Sequence, residues 1–430
     1  MSNKEESVLV AGFNTRPLVY SLKRAGFEVY AVDFFGDLDL YPYVKDCLIL
    51  TKKLSVSYDL IKNNYSEYLP ILILELLDKY PEIKYLIIGS GLDDAIEERA
   101  FLLKEIIRKK YKILNLNNEL EAIKKSRDID FILNFLMKGG FDVPRTVPFE
   151  EVRSKVNELK YPFILKKGSG SGGTNVYKIQ NKSDLSFTIN LINREFFDPK
   201  NWLMQEYIEG NPVSCTTISN GVESEVISVN NQVVGDKYLN APKEFIYCGN
   251  IVPANLVEEE KKLIVDISLK LSTELGLKGI NGFDFVLRNH YPYIMEINPR
   301  IPGSIRASEE AMNINLLDLH IKSFTNKGWE FVKKKLKDAN FENFTTKIIF
   351  FAPKEIDKIL LNKINDLEYV HDKSEPVKNI YKNEPVCTIL FKAKTFSDSY
   401  LGSLKVVDKI KKIIKYPKNY CLIIVLILAI

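Results

Sequence analysis

The sequence predicts a multidomain protein of mixed α/β and α+β class, with an amino-terminal parallel α/β domain and a small β-rich carboxyl-terminal subdomain. Strand-like and helix-like segments alternate over residues 7–117, as in a parallel sheet covered by helices. A glycine-rich strand–turn–strand segment follows at residues 161–180, and a hairpin with polar residues in unusual places spans residues 282–300. The first segment predicts the parallel domain, and the other two predict antiparallel sheet beyond it.

Composition excludes several classes of protein. The 430 residues suffice for several packed domains, and 46% hydrophobic with 27% charged residues is typical of a soluble globular protein. A net charge of +4 is small for this length and carries little information about nucleic acid or membrane partners, and we expect neither. The five cysteines have no CxxC spacing, which argues against zinc and disulfides and predicts a cytoplasmic protein; they are Cys47, Cys215, Cys248, Cys387 and Cys421.

The amino-terminal segment, residues 1–117, is predicted as one domain. Its strands are SVLVAG, FEVYAVD and KYLIIGS, and its helices include RPLVYSLKRAG and AIEERAFLLKEIIRKK. Ligands of such sheets lie beyond the carboxyl ends of the strands, where loops 12–16 and 89–94 stand. These loops are either tight turns with Asn14 or Asp93 as helix caps, or a pocket for a substrate.

A small α+β lid is predicted over about residues 145–208. The strand YPFILKK ends near Lys166, GSGSGG follows, and TNVYKIQ is the next strand. Gly168, Gly170 and Gly173 match GxGxxG, but a strand rather than a helix follows, so neither a dinucleotide fingerprint nor a Walker A loop is predicted. The segment is either a glycine-rich turn whose backbone N–H groups cradle phosphates, or a flexible hairpin with a solvated lysine.

The hairpin at residues 282–300 brings carboxylates together. With a turn centred on His290, Asp284 lies directly opposite Glu296, and Asn298 lies on the same face as Glu296, roughly 7 Å away. Adjacent carboxylates raise each other's pKa unless a cation neutralises them, and oxygen ligands without Cys or His indicate Mg²⁺. The alternative is an exposed face whose carboxylates lie near arginines. Arg300, at the end of the strand, favours a site for phosphoryl or acyl oxygens.

MEINPR, preceded by the GFDF strand, resembles the metal-binding signature of the ATP-grasp superfamily, in the branch of biotin carboxylase and carbamoyl phosphate synthetase. The resemblance implies an ATP-grasp fold, with a pre-ATP-grasp domain at 1–117, an ATP-grasp domain at 118–330 and a carboxyl-terminal α+β subdomain at 331–416. It implies that Asp284, Glu296 and Asn298 hold ATP with Mg²⁺ or Mn²⁺, and that Arg300 stabilises a phosphorylated intermediate.

The same resemblance implies the nucleotide-binding residues. Lys166 contacts an α- or β-phosphate, and the Gln205 side chain with the backbone of Glu206 and Ile208 reads the adenine. The full implied set is Lys166, Gly168, Gly170, Gly172, Gly173, Gln205, Glu206, Tyr207, Ile208 and Glu209.

Two positions depart from the family pattern. Ile129 stands where relatives have a phosphate-binding lysine, with Lys125 and Arg127 as the nearest cations. Pro212 stands where many relatives have a ribose-binding glutamate, with Glu209 or Ser214 as substitutes.

Substrate contacts are expected from two regions. The resemblance implies that the amino-terminal loops help bind the acid or amine, and the turn after Arg300 lies next to the metal patch. The predicted substrate residues are Asn14, Arg16, Ser90, Asp93, Ser304 and Arg306, whereas Glu309 and Glu310 are expected to be solvated. Tyr247 and Asn250 either line the substrate side or extend a sheet.

The predicted function is an ATP-dependent ligase that joins a small-molecule carboxylate to an amine or similar nucleophile through an acyl phosphate, releasing ADP and phosphate. The alternatives are a small-molecule phosphotransferase and a noncatalytic nucleotide sensor, and a homodimer is left open. The apolar run at 417–430 is shorter than the ~20 residues that span a bilayer, so it is expected to be a buried strand or a loosely ordered tail.

Overall fold

The computed structural model describes residues 6–55, 61, 64–151, 159–168, 172–193, 198–377 and 379–415. These residues form one parallel and two antiparallel sheets with helices packed against them. The predicted class, α/β and α+β in several units, is therefore confirmed. Gly170 and the apolar tail at 417–430 lie outside the described residues.

The amino-terminal sheet is parallel and has the strand order β3-β2-β1-β4-β5. Its strands are β1 (Ser7–Gly12), β2 (Glu28–Asp33), β3 (Asp46–Ile49), β4 (Tyr85–Ile88) and β5 (Leu114–Asn115). Its helices are α1 (Arg16–Arg24), α2 (Leu50–Lys53), α3 (Leu69–Lys79) and α4 (Ile96–Arg108).

Both faces of this sheet are covered, because alternate residues of β1 enter different cores. Val8 and Val10 pack with α1, whereas Leu9 and Ala11 pack with α3 and α4. The strand order reverses between β1 and β4, which places the loops after these two strands side by side at one crevice.

The lid is a four-stranded antiparallel sheet of order β6-β9-β7-β8. Its strands are β6 (Thr146–Pro148), β7 (Phe163–Lys167), β8 (Val176–Ile179) and β9 (Trp202–Glu206). Helices α5 (Leu120–Arg127) and α6 (Ile129–Lys138) lead into it, and α7 (Lys182–Asn193) covers it. Its core, including Phe163, Leu165 and Trp202, is separate from the other cores, so the lid is a packed unit of its own.

The large sheet has eight strands in the order β14-β13-β10-β11-β12-β15-β17-β16, all antiparallel. They are β10 (Asn211–Asn220), β11 (Ser224–Val234), β12 (Tyr247–Val252), β13 (Lys278–Arg288), β14 (Tyr291–Asn298), β15 (Phe344–Phe351), β16 (Val370–His371) and β17 (Pro385–Ala393). Its helices are α8 (Glu258–Glu274), α9 (Ile305–Met312), α10 (Leu316–Lys322), α11 (Asn326–Lys337), α12 (Lys358–Asn365) and α13 (Phe396–Lys415). Because β15 pairs with β12, the sheet continues across the predicted boundary at 330/331.

Among the described helices, none is long and apolar enough to cross a bilayer. Cys47, Cys215, Cys248 and Cys387 are free thiols.

Candidate active site

A cleft of about 1200 Å³ lies between the amino-terminal sheet, the lid and the large sheet. All three units contribute to its lining, which includes many of the residues predicted from the sequence. Those residues are Asn14, Ser90, Asp93, Lys166, Gly172, Gly173, Gln205, Glu206, Tyr207, Ile208, Asp284, Glu296, Asn298, Arg300 and Ser304.

The carboxylate pair lies where the hairpin was predicted to place it, but for a different reason. Asn289 and His290 both have positive φ, so the turn has two central residues and its centre lies between them. That register alone would not place Asp284 opposite Glu296. A β-bulge at Met295 supplies the missing residue and restores the pairing.

The bulge also creates a lysine site. Lys166 of β7 donates a hydrogen bond from Nζ to the Met295 carbonyl oxygen at 3.1 Å. The ammonium is thereby held beside the hairpin, and burial lowers the pKa of Lys166 to about 8, with Glu296 opposing the change. Lys166 thus joins the lid to the carboxylate pair.

Asp284 is held by two amides. Gln232 Nε2 donates to one carboxylate oxygen at 2.7 Å, and Asn298 Nδ2 donates to the other at 2.9 Å. Burial and the charge of Glu296 raise the pKa of Asp284 to about 7, although Arg300 and both amides oppose the rise. Burial is thus the main cause of the shift, and the cations near the pair do not offset it.

Two arginines connect the amino-terminal loop to this hairpin. Arg300 forms an ion pair with Asp93 at 2.8 Å, and Arg127 forms ion pairs with Asp94 at 2.7 Å and Glu296 at 2.9 Å. Burial raises the pKa of Asp93, but Arg300 and Arg127 outweigh burial, so the net shift is downward. The loop after β4 therefore orients cations at the site, and Asp93 acts on Arg300 in addition to lining the cleft.

The two cations that precede the lid, Lys125 and Arg127, differ in exposure. Lys125 is exposed to solvent, whereas the side chain of Arg127 is 14% exposed and lies beside Glu296. Ile129, Arg127 and Lys166 line a small second cavity under the hairpin. Arg127, unlike Lys125, therefore lies at the cavity that Ile129 lines.

The glycine-rich hairpin is docked against the loop before β12. The Gly172 carbonyl accepts a hydrogen bond from the Tyr247 backbone N–H at 3.2 Å. A Cβ at Gly173, whose φ is +76°, would lie 1.8 Å from the Phe245 carbonyl oxygen. Only glycine allows this close approach, so Gly173 has a structural role as well as a predicted phosphate contact.

The segment predicted to read adenine lines the cleft up to Ile208. Gln205 is buried and donates from Nε2 to Thr146 at 2.9 Å, and Arg288 donates to the Glu206 carboxylate at 2.9 Å. Glu209 is exposed and lies outside the lining, and Gly168 lines only the small second cavity.

Two predicted substrate residues point elsewhere, and both expectations are corrected. Arg16 is 5% exposed, absent from the lining, and donates from Nε to Asp372 at 2.7 Å. Arg306 is 4% exposed and donates to Glu309 at 2.7 Å and Glu310 at 2.6 Å. Internal carboxylates thus pair with both guanidinium groups, although Nε of Arg306 has no hydrogen-bond partner among the described residues. Glu309 is buried rather than solvated.

The remaining substrate candidates stay at the cleft. The side-chain oxygen of Asn14 is buried without a hydrogen-bond partner among the described residues. Ser90 lines the crevice beside it, and Ser304 precedes α9 and contacts Thr216 at 3.4 Å. Pro212 also lines the cleft, and Ser214 accepts hydrogen bonds from Asn230 and Asn250 at 3.3 Å each.

Several cleft residues were not found from the sequence. Gln232 lies near the end of β11, which carries no motif, and Lys347 and Asp372 belong to the carboxyl-terminal segment, where no catalytic pattern occurs. Lys347 is buried and donates to the Gly303 carbonyl oxygen at 2.9 Å. Lys347 was not predicted as a cleft residue, because the rest of β15 has the sequence of an ordinary core strand and a single lysine within it indicates little.

The donor set is compatible with a hard divalent cation. Asp284, Glu296 and Asn298 offer two carboxylates and an amide, and the charge of Glu296 adds to burial in raising the pKa of Asp284. No group of three or more His, Cys, Asp or Glu side chains that could hold a metal occurs in the part of the chain described here. Any metal at the hairpin would therefore need other oxygen ligands, as Mg²⁺ takes from phosphates and water.

Comparison with known proteins identifies the central region. Residues 130–304 match the family described as ATP-grasp domain. An uncharacterized protein of Methanocaldococcus jannaschii is 28% identical over 392 residues, covering 89% of this chain and 88% of that protein. The carbamoyl phosphate synthase large chain of Caldanaerobacter subterraneus subsp. tengcongensis is 22% identical, over 70% of this chain but only 27% of its own length.

Solved structures show the same fold over nearly the whole chain. The L-amino acid ligase from Bacillus licheniformis has a TM-score of 0.65 at 16% identity, covering 95% of this chain and 98% of that one. A biotin carboxylase–beta-gamma-ATP complex from Campylobacter jejuni has a TM-score of 0.67 at 16% identity, covering 92% of this chain and 89% of that one. These likenesses establish the fold.

Proposed function

We propose, from the ATP-grasp domain that residues 130–304 form, that this protein is an ATP-dependent ligase joining a small-molecule carboxylate to an amine or similar nucleophile. ATP would phosphorylate the acid, and this step releases ADP. The nucleophile would then attack the acyl phosphate and displace phosphate. The observation that carries the proposal is the convergence of Lys166, Arg300 and the Asp284–Glu296 pair on one cleft. The names of the carbamoyl phosphate synthase and L-amino acid ligase relatives support the reaction class.

Asp284, Glu296 and Asn298 are proposed to hold Mg²⁺ or Mn²⁺ together with the nucleotide phosphates. When bound, such an ion neutralises phosphate charge and the charge that develops in transfer. Gln232 fixes the orientation of Asp284 by its 2.7 Å hydrogen bond, so the ligand is preorganised. Arg127 balances Glu296 and is proposed to take the place of the family's phosphate-binding lysine.

Lys166 and Arg300 are the proposed catalytic cations. Lys166 has one hydrogen bond to Met295, and an ammonium has two further protons to donate to phosphate oxygens. Arg300 is oriented by Asp93 at one side of its guanidinium and stabilises charge on the transferred group with the other. The docked hairpin excludes water from an intermediate that hydrolysis would destroy.

The other assignments remain proposals. We propose that Gln205, Glu206, Tyr207 and Ile208 contact adenine, and that Asn14, Ser90 and Ser304 contact the small-molecule substrates. A cytoplasmic location is likewise proposed, from the spacing of the cysteines.

The reaction class is tested with Mg²⁺, ATP and hydroxylamine, supplied with a panel of small carboxylic acids. An acyl phosphate would be trapped as a hydroxamate with ADP in equal amount, because hydroxylamine replaces the unknown nucleophile. AMP as the product would contradict the mechanism, and a phosphorylated hydroxyl product would favour a phosphotransferase.

Nucleotide should stabilise the docked lid. We expect hydrogen exchange at residues 172–179 to slow when Mg²⁺ and ATP are added, because phosphate contacts favour the closed arrangement over the open one. Gly173→Ala should abolish most of the slowing, since its Cβ cannot pass the Phe245 carbonyl. Exchange over α13 serves as the control, and unchanged exchange in the wild-type lid at saturating nucleotide would contradict the lid assignment.

A further inference from the structure

One lobe of the cleft is bounded by the carboxyl-terminal strands. Its walls come from the loop after β2 and from the ends of β16 and β17, and they include Asp37, Asp372, Ser374 and Thr388. Lys347 lies between this lobe and the turn that contains Gly303. The function proposed above assigns nothing to this lobe.

Most acidic side chains here have partners within the protein. Asp33 accepts hydrogen bonds from Thr15 and from the backbone N–H groups of Phe35 and Gly36. Asp39 accepts from the backbone of residues 372 and 373 at 3.1 and 2.8 Å. Asp372 pairs with Arg16. Asp39 thus holds the loop after β2 against the carboxyl-terminal segment, whereas Asp33 orders the loops after β1 and β2.

Asp37 is different. It is 7% exposed and lines the cleft, yet its carboxylate has no hydrogen bond and no ion pair with any residue that the structure describes. A buried carboxylate without a partner is costly, so such a group is expected where a ligand supplies the partner. In keeping with this, burial and the charges of Asp372, Asp33 and Asp39 raise the pKa of Asp37 well above its ordinary value, although Arg16 opposes them.

The charges around Asp37 favour a cationic ligand. Four carboxylates, those of Asp33, Asp37, Asp39 and Asp372, face the two cations Arg16 and Lys347. The loop after β1 adds a second acceptor without a donor, the side-chain oxygen of Asn14. Both acceptors require N–H or O–H donors, and an ammonium group offers three.

We propose that Asp37 binds a cationic nitrogen of the acid substrate, so that the substrate is an amino-acid-like zwitterion. The inference rests on the proposed ligase function for the position of the reacting carboxylate. Arg300 places a cation beside the Asp284–Glu296 pair at the reaction end of the cleft, and Asp37 places a carboxylate in the lobe bounded by the carboxyl-terminal strands. A molecule with a carboxylate and an ammonium group in one orientation complements both ends, whereas a simple fatty or dicarboxylic acid does not.

The test measures binding, so that it does not depend on turnover. The probes are α-amino and ω-amino acids of three to six carbons, each paired with the acid that has hydrogen in place of the amino group. They are titrated calorimetrically into the full chain with Mg²⁺ and a nonhydrolysable ATP analogue. We expect at least one amino acid to bind roughly tenfold or more tightly than its deaminated partner, as one charge-assisted hydrogen bond provides.

Asp37→Asn should reduce that preference about tenfold, because the amide cannot neutralise an ammonium group. Asp366→Asn, a carboxylate exposed at the end of α12, is the matched control and should leave the preference unchanged. At neutral pH the Asp37→Asn protein should melt at the same or a higher temperature, since it loses an unpaired buried charge. A lower melting temperature with unchanged preference would show a structural carboxylate and overturn the inference.

The two proposals fail in different ways. If no amino acid of the panel binds better than its partner, the Asp37 assignment is wrong, whatever ADP release shows. If the preference depends on Asp37 but bound acids yield neither ADP nor hydroxamate, the assignment holds and the ligase function is wrong.

Discussion

Glu296→Gln is expected to lower ADP release by about a hundredfold or more without destabilising the fold. Glu296 and Asp284 are cross-strand neighbours on a half-exposed hairpin face at the cleft. Because their proposed role is to bind a cation and not to pack, replacing either carboxylate by its amide keeps the shape and removes the charge. ADP release and thermal melting should be measured on the same preparations.

The pH dependence of stability gives this prediction a second part. The folded protein raises the pKa of Asp284 to about 7 from 3.8, so Asp284 binds its proton more tightly when folded. Its contribution therefore favours the folded state at low pH and is lost as pH rises from about 4 to about 7. Asp284→Asn should reduce that loss, and at pH 8 without nucleotide it should melt at the same or a higher temperature than the wild type.

Glu260→Gln is the matched control for both variants. Glu260 contacts His290 at the opposite end of the same hairpin, at 2.7 Å, and lies outside the cleft lining. It should change turnover little. Near-normal turnover in both cleft variants would contradict the metal assignment.

The sequence predicted what depends on local pattern. Strand and helix alternation located the amino-terminal sheet, and the carboxylates of the GFDF and MEINPR strands were placed opposite each other. The bulge at Met295 could not be predicted from the sequence. Met295 has no partner across the hairpin, and its carbonyl oxygen accepts a hydrogen bond from Lys166 of the lid sheet. The pairing was therefore right although the assumed turn centre was wrong.

One failure occurred where the partner lies far away in the chain. Arg16 was assigned to substrate because a loop arginine beyond a parallel strand is well placed for an anion. Asp372, which neutralises it, is 356 residues away and carries no motif. Asp37 was overlooked for the converse reason, since its lack of a partner can be seen only once the surrounding residues are in place.

Arg300 provides the other large expected effect. The guanidinium is proposed to act on charge that develops during transfer, so its loss should reduce hydroxamate trapping by roughly a thousandfold while changing the affinity for ATP only a few-fold. A change at Arg300 also affects the stability of the fold, because Asp93 is 4% exposed and Arg300 neutralises its charge. Arg300→Ala alone leaves that carboxylate to Arg127 and Arg99, and it should destabilise the protein by part of the roughly 3–5 kcal/mol typical of a broken buried pair.

The double variant Asp93→Asn with Arg300→Gln separates the two effects, since it removes both charges of the pair. We expect it to melt closer to the wild type than Arg300→Ala does and yet to trap as little hydroxamate, because the catalytic cation is still missing. Asp93→Asn alone keeps the guanidinium but loses its orientation, so trapping should fall by an intermediate factor. Arg108→Ala, an exposed arginine paired with Glu105, is the control for losing a surface cation. If Arg300→Ala loses ATP affinity and trapping in equal proportion, Arg300 binds the ground state and transition state alike, and its catalytic role is refuted.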